Sequence, residues 1–280
     1  MTDVLRYAAF STDPHGGNPA GIVLDAAELT PAAMQAIAAE VGYSETAFVV
    51  GSTAGDPDRH TIRYFSPLAE VPFCGHATIA TAVALAQRDG VGALLFDSPV
   101  GEIHVETKAD DSGITARLRS VPTRSRPASE EEISRALASL HWDITDLGDL
   151  PPHVAFAGND HLVLQARTRQ RLRDLDYDFD ALKALMTERR WTTLQLIYIE
   201  TDALIHSRNP FPVGGVVEDP ATGAAAAALG GYLRALGRVT RPSTITMRQG
   251  EDMGRPSELL LDVDPDDPRV GVSGHAVPIR

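Results

Sequence analysis

Cysteine occurs once in the 280-residue chain, at Cys74, which excludes an internal disulfide, a four-cysteine metal cage and every mechanism that needs two protein thiols. Lysine occurs only at Lys108 and Lys183. Neither sits in a glycine-rich phosphate loop, so P-loop and lysine Schiff-base chemistry are disfavoured. Basic charge is scarce: 25 Lys plus Arg stand against 38 Asp plus Glu, a net charge of −13. Such a surface repels a phosphate backbone, and nucleic acid is not expected as a partner. No stretch approaches the ~18 to 20 uninterrupted apolar residues of a membrane span. The opening Met1 to Phe10 has neither a basic start nor a signal-type apolar core, so no membrane association is expected and the expected location is the cytoplasm. Gly-x-Ser-x-Gly and Gly-x-Gly-x-x-Gly motifs are missing, and no His-x-x-x-His pair lies beside a carboxylate. Serine hydrolase and dinucleotide readings therefore lack a motif, and no metal site is expected.

What remains is ordinary globular composition, 43% apolar and 22% charged, with enough chain for two lobes of about 140 residues each. Thr30-Pro31 opens a stretch in which Met34, Ile37, Ala38 and Val41 recur at helical spacing, with Gly42 just past its end. A β-prone run, Glu45 to Val50, follows at once and places Glu45 at a helix-to-strand junction. Further strands are expected at Gly101 to Thr107, Ile114 to Leu118, Leu194 to Ile199 and Leu259 to Val263. Between Val121 and Ala128 the chain suits neither strand nor helix, and Ser129 with Glu132 then forms a capping box. The expected lobes are residues 1–120, with the last C-terminal strand free to rejoin them, and residues 121–280.

Internal similarity crosses that boundary. Gly17 to Leu24 resembles Gly158 to Leu164, Arg63 to Pro67 resembles Arg208 to Pro212, and Cys74-Gly75 resembles Thr222-Gly223, in the same order and at similar offsets. Cys74 to Thr78 leads into a helix through Gln87, and Thr222 to Ala224 into one through Leu236 ended by Gly237. Both helices are built of small residues, which suits a helix packed closely on several sides inside a small barrel. Their N-termini offer unpaired N–H groups and a positive dipole end to a carboxylate. Glu45, His76 and Asp219 are the proton-transfer groups at these junctions. On the residues alone, Glu45 is equally a surface carboxylate, His76 a capping histidine and Asp219 a helix N-terminal acid. Cys74 reads as a small buried filler with no base beside it. The polar, glycine-interrupted segment Arg248 to Ser257 either presents Arg255 and backbone amides to an anion or forms a surface turn.

Taken together, Gly17-Asn18-Pro19-Ala20, Ser44 to Phe48, Cys74-Gly75-His76-Ala77-Thr78, Glu218 to Gly223 and Gln249-Gly250 through Ser257 resemble the PhzF-like phenazine-biosynthesis family. The resemblance implies an α+β, diaminopimelate-epimerase-like fold, with two pseudo-symmetric lobes, each a β-barrel-like sheet wrapped around a central helix, and a site in the cleft between them. It also implies Glu45 as the acid/base residue, with His76 and Asp219 in the catalytic cluster. Substrate contacts are implied at Gly75, Ala77, Thr222, Gly223, Ala224, Arg255 and Ser257. A homodimer is implied as well, and no cofactor or metal.

Two departures shape the expected activity. The family's isomerases usually have a serine after the Thr-Gly of the second helix, where this chain has Ala224. Losing that hydroxyl costs about 1 to 3 kcal/mol if its buried partner stays unpaired, enough to change substrate preference. The related epimerases and racemases use two cysteines, whereas the two helix entrances here hold Cys74 and Thr222; two-thiol stereoinversion is excluded. The expected activity is a cofactor-independent isomerase that shifts a proton within a small cyclic amino- or hydroxy-bearing carboxylic acid, resembling trans-2,3-dihydro-3-hydroxyanthranilate isomerase. The alternatives are a small-acid-binding protein that has lost catalysis and a carboxylate-based epimerase.

Overall fold

The computed structural model describes residues 2–53 and 55–280. The chain divides into two units, one of Met1–Arg119 with Ser273–Arg280 and one of Ser120–Val272.

In the first unit β1 (Leu5–Ala9) pairs antiparallel with β2 (Asn18–Val23), and β2 pairs parallel with β3 (Glu45–Thr53) after the crossover helix α1 (Pro31–Val41). Thr30 caps α1 by accepting from the Ala33 amide, Pro31 supplies the first helical φ, and Gly42 ends it in the left-handed conformation at φ 72°. Met34 and Ala38 of α1 pack with Val23, Phe48 and Phe65 on the outer face of these strands. β4 (Asp56–Phe65) runs antiparallel to β3 and to the two-residue β5 (Glu70–Val71). After α2 (Gly75–Asp89), β6 (Ala93–Ser98) pairs parallel with β4, and β7 (Gly101–Asp110) and β8 (Gly113–Arg119) complete an antiparallel meander. The chain's C-terminal end returns to β1, with Ala276 to Pro278 set opposite Ala9 to Tyr7. Every residue of α2 from His76 to Ala86 is buried, because β1, β2, β3, β7 and β8 all lie against it. Alanine and threonine on its faces admit that approach, which wide side chains would block.

The second unit repeats the order. β9 (Arg124–Pro127), β10 (His153–Phe156) and β11 (Asp160–Gln165) are antiparallel neighbours, and β11 pairs parallel with β12 (Trp191–Thr201). Before β10 lies α3 (Glu130–Ser139), opened by the full Ser129–Glu132 capping box; α4 (Arg169–Arg173) and α5 (Phe179–Arg189) separate β11 from β12. Leu137, Leu140, Leu182, Leu185 and Met186 of this outer layer share a core with Leu162, Leu194 and Leu196 of the sheet. β13 (Leu204–Pro210) pairs antiparallel with β12 and the two-residue β14 (Glu218–Asp219). After α6 (Gly223–Ala235), β15 (Ser243–Gln249) pairs parallel with β13 and antiparallel with β16 (Ser257–Val263); β17 (Val270–Pro278) ends the chain. α6 is buried against β9, β10, β11, β12 and β16. A Cβ at Gly231 would meet Thr123 Oγ1 at 2.2 Å, so glycine there is what lets the chain entering β9 approach the helix.

The fold is thus α+β, with a barrel-like sheet around a central helix in each unit. One expectation is corrected: residues 124–127, expected to be irregular, form β9. Its Pro127 lies at the strand end opposite His153, where a missing N–H is tolerated, and the Arg124 guanidinium lies 3.4 Å from the Phe156 ring centroid.

Candidate active site

In the first unit, the parallel pairing of β2 with β3 sets Glu45 opposite Ala20 at the first residue of its strand. The entrance of α2 supplies the other groups. Glu45 Oε2 lies 3.5 Å from Cys74 Sγ and 3.5 Å from His76 Nε2. Cys74 Sγ lies 3.4 Å from His76 Nδ1 and 3.7 Å from Nε2. The Glu45 side chain keeps 20% of its surface exposed against 8% for His76, so the carboxylate is the accessible member. Burial pushes the His76 imidazole below its ordinary pKa, outweighing the nearby Glu45 carboxylate, which acts in the opposite direction. His76 is therefore neutral at pH 7. The buried Asn18 amide lies 3.3 Å from Nδ1; with that amide donating, the ring proton sits on Nε2, facing Glu45 and Ser44 Oγ at 3.4 Å.

The helix entrance is held from below. Thr78 Oγ1 donates to the Cys74 carbonyl at 2.6 Å and pairs with the buried Tyr64 hydroxyl at 2.6 Å. Desolvation raises the Tyr64 pKa, keeping it a neutral hydrogen-bonding group. Among the described residues no side-chain cap closes the α2 N-terminus, which leaves the first-turn amides of Gly75 and His76 to an acceptor.

The second unit gathers a different set. Thr222 Oγ1 donates to Asp219 Oδ2 at 2.5 Å. Gln249, the last residue of β15, spans both residues. Its Oε1 accepts from the Thr222 amide at 3.2 Å, while Nε2 donates to the Asp219 carbonyl at 2.7 Å and to Thr222 Oγ1 at 3.0 Å. The Thr222 hydroxyl thus both donates and accepts within the protein. A carboxylate's proton affinity is far too low to strip an alcohol, so the Asp219 contact does not make Thr222 a base. Glu218, beside Asp219, is buried in a bidentate pair with Arg208, whose Nη1 also donates to the Arg173 carbonyl at 2.8 Å. That pair fixes the short β14 against β13.

The structure therefore gathers Glu45 with His76 in one unit and Asp219 with Thr222 in the other. Gly75 and Gly223 are the first helical residues at the two entrances, and Ala224 is half-buried beside Gly223. Ala77 is fully buried, and Ser257 is 4% exposed with its hydroxyl donating to the Arg255 carbonyl at 3.1 Å. Neither side chain faces outward. Arg255 lies in the turn joining β15 to β16, its amide bonded to the Gly250 carbonyl. A Cβ at Gly250 would meet the Arg255 and Pro220 carbonyl oxygens at 2.2 and 2.8 Å, so this turn packs onto the α6 entrance only through glycine.

Three features escaped the sequence. Cys74 is buried as expected, but Glu45 and His76 stand beside it. The spacing test for a metal site also missed that Glu45, Cys74 and His76 place three ligand atoms within 4.8 Å of one another, because sheet pairing, not sequence spacing, brings Glu45 there. Gln249 stands out in the sequence only as part of the Gln249-Gly250 motif; its position at a strand end, just before a glycine, is the available signal.

A family model described as phenazine biosynthesis-like protein matches residues 7–280. The trans-2,3-dihydro-3-hydroxyanthranilate isomerase of Pseudomonas fluorescens is 30% identical over 291 residues, spanning 99% of this chain and 97% of the relative. Uncharacterized relatives from Bacillus subtilis and Escherichia coli are also named isomerases. The crystal structure of the Bacillus anthracis phenazine biosynthesis protein of the PhzF family aligns with a TM-score of 0.87 at 26% identity, over 99% of this chain and 96% of that one. A probable proline racemase from Agrobacterium radiobacter K84 shares the fold, with a TM-score of 0.66 at 12% identity over 98% and 90% of the two chains.

Proposed function

The chain belongs to the phenazine biosynthesis-like (PhzF) family, and from that premise we propose that it is a cofactor-independent isomerase moving a proton within a small cyclic amino- or hydroxy-bearing carboxylic acid. The observation that carries this reading is the partly exposed Glu45 carboxylate, flanked at 3.5 Å by a thiol and an imidazole beside an uncapped helix N-terminus. A carboxylate so placed can remove a proton from carbon next to an unsaturated system and, as the acid, return it to another carbon of the delocalised intermediate. Neutral His76 directs its ring proton toward Glu45 and exchanges protons with substrate heteroatoms. The amides opening α2 hold the substrate carboxylate and stabilise the negative charge that develops on proton removal. In the second unit the Gln249 side chain keeps Asp219 and Thr222 in fixed geometry.

The test is NMR of trans-2,3-dihydro-3-hydroxyanthranilate in D₂O, following isomerisation and deuterium entry at ring carbons with wild type and with Glu45→Gln. The proposal expects conversion by wild type and a loss on the order of 10²- to 10⁴-fold in the variant, with binding retained. No conversion or exchange by folded wild type discards that substrate; undiminished exchange by Glu45→Gln removes Glu45 from the chemistry.

A further inference from the structure

We propose that Glu45, Cys74 and His76 form an inhibitory binding site for a soft divalent cation of the zinc class, which switches off the proton shuttle by taking its carboxylate as a ligand. The inhibition rests on the isomerase reading above, whereas the binding site does not.

The ligand set is the first reason. A thiolate, an imidazole and one carboxylate together suit Zn²⁺, Cd²⁺ or Co²⁺ and not Mg²⁺ or Ca²⁺, which call for oxygen ligands. Geometry is the second. Metal–ligand bonds of about 2.3 Å to sulfur and about 2.0 to 2.2 Å to nitrogen and oxygen put neighbouring corners of a tetrahedron about 3.3 to 3.6 Å apart. The separations here are 3.5 Å for Sγ to Oε2, 3.5 Å for Nε2 to Oε2 and 3.7 Å for Sγ to Nε2. A shift of a few tenths of an ångström in one side chain completes three corners, leaving the fourth for water or a ligand carboxylate. Among the described residues this is the group of three or more His, Cys, Asp or Glu side chains with a metal-holding arrangement. Its members come from the start of β3 and from both sides of the α2 entrance, so the scaffold already holds them together.

Binding balances simply. The Cys74 Sγ–H bond breaks, its electron pair goes to the metal and the proton leaves to solvent. His76 binds through the Nε2 lone pair once its proton moves to Nδ1, from which the ring donates a hydrogen bond to the Asn18 amide oxygen after that amide rotates. Nothing is oxidised or reduced. Glu45 coordinated to the cation can no longer accept a proton from carbon.

The experiment titrates chelator-stripped protein with Cd²⁺ and Co²⁺, recording the thiolate-to-metal charge-transfer band and the visible cobalt spectrum. The expected result is a one-to-one complex with a thiolate band and an intense tetrahedral cobalt spectrum. Cys74→Ala should abolish the band, and Glu45→Gln or His76→Gln should weaken affinity on the order of 100-fold. Circular dichroism checks that each variant folds, with Cys74→Ser as the second thiol variant. No thiolate band with wild type at saturating Cd²⁺ overturns the site, as does a band whose affinity ignores both Glu45→Gln and His76→Gln. These readouts need no turnover, so an inactive substrate leaves them standing. Where deuterium exchange is measurable, Zn²⁺ should suppress it in parallel with occupancy; full occupancy without suppression overturns the inhibitory role and leaves the isomerase reading intact.

Discussion

The two units carry one strand order around one kind of helix, yet equivalent positions hold different chemistry. Pairing register makes the correspondence explicit: Ala20 opposite Glu45 answers to His161 opposite Thr193, and Phe65 opposite Glu70 answers to Pro210 opposite Glu218. Tyr64 then matches Asn209, Val71 matches Asp219, Cys74 matches Thr222 and His76 matches Ala224. Where the first unit puts a carboxylate, the second puts Thr193, sealed in a neutral network with His161 Nδ1 at 2.8 Å and Asn209 Nδ2 at 3.1 Å. Where the second unit puts its acid, the first has valine. The hairpins after the helices differ too. Ser98 and Gly101 flank only Pro99-Val100, and the Ser98 hydroxyl is used on the Gly101 carbonyl. Gln249 and Ser257 flank Gly250 to Pro256, and Gln249 reaches the helix entrance. A duplicated scaffold can therefore hold different chemistry at equivalent positions, with a strand-end side chain and the adjoining loop making the difference.

The largest contrast expected is in stability. Arg208 and Glu218 have side chains 11% and 3% exposed, while their counterparts Arg63 and Glu70 are 26% and 37% exposed. Arg208→Ala leaves a buried carboxylate unpaired and should cost about 3 to 5 kcal/mol, whereas Arg63→Ala should cost about 0 to 1 kcal/mol. Urea denaturation measures both, and equal losses would break the distinction between a locked and an open half.

His161 sharpens it by titration. Fully buried, with Nε2 unpartnered among the described residues, it is pushed down to about 4 by desolvation. Below about 6.5 the unfolded chain binds a proton that folded His161 refuses, so stability falls as pH drops from about 6.5 to about 4, by about 3 kcal/mol for this group. His161→Gln should flatten that part of the stability curve. Its counterpart Ala20 contributes nothing there, and an unchanged slope in the variant would place the acid sensitivity elsewhere.

A smaller effect is expected at the hairpins. Gln249→Ala removes three hydrogen bonds from the α6 entrance and should cost about 1 to 3 kcal/mol, raising KM more than it lowers kcat. Ser98→Ala should stay within about 0.5 kcal/mol. Similar costs at the two positions would mean that the Gln249 bridge locks nothing.

Much of this scaffold was legible in the sequence because its signals are local or periodic. Thr30-Pro31 and Gly42 bound α1, Ser129 and Glu132 open α3, and the small residues after Gly75 and Gly223 betray helices buried on most faces. The repeat was visible because turns, ion-pair arginines and helix entrances keep their order. What stayed hidden depends on pairing between distant segments. β5 and β14 are two residues long and have no period to read. β9 becomes a strand because β10 pairs with it, against its own proline and arginine content. Cys74 looked inert because its neighbours along the chain include no carboxylate; Glu45 arrives from β3, and Gln249 reaches Thr222 from β15.

The proposed function has Glu45, at the first entrance, move the carbon-bound proton. The most direct measurement compares deuterium entry at substrate carbon with product formation, in D₂O, for Glu45→Gln and Asp219→Asn against wild type. The proposal predicts that Glu45→Gln loses both together, while Asp219→Asn still exchanges carbon-bound hydrogen. Exchange that survives in Glu45→Gln and disappears in Asp219→Asn would contradict it and move the proton shuttle to the second unit.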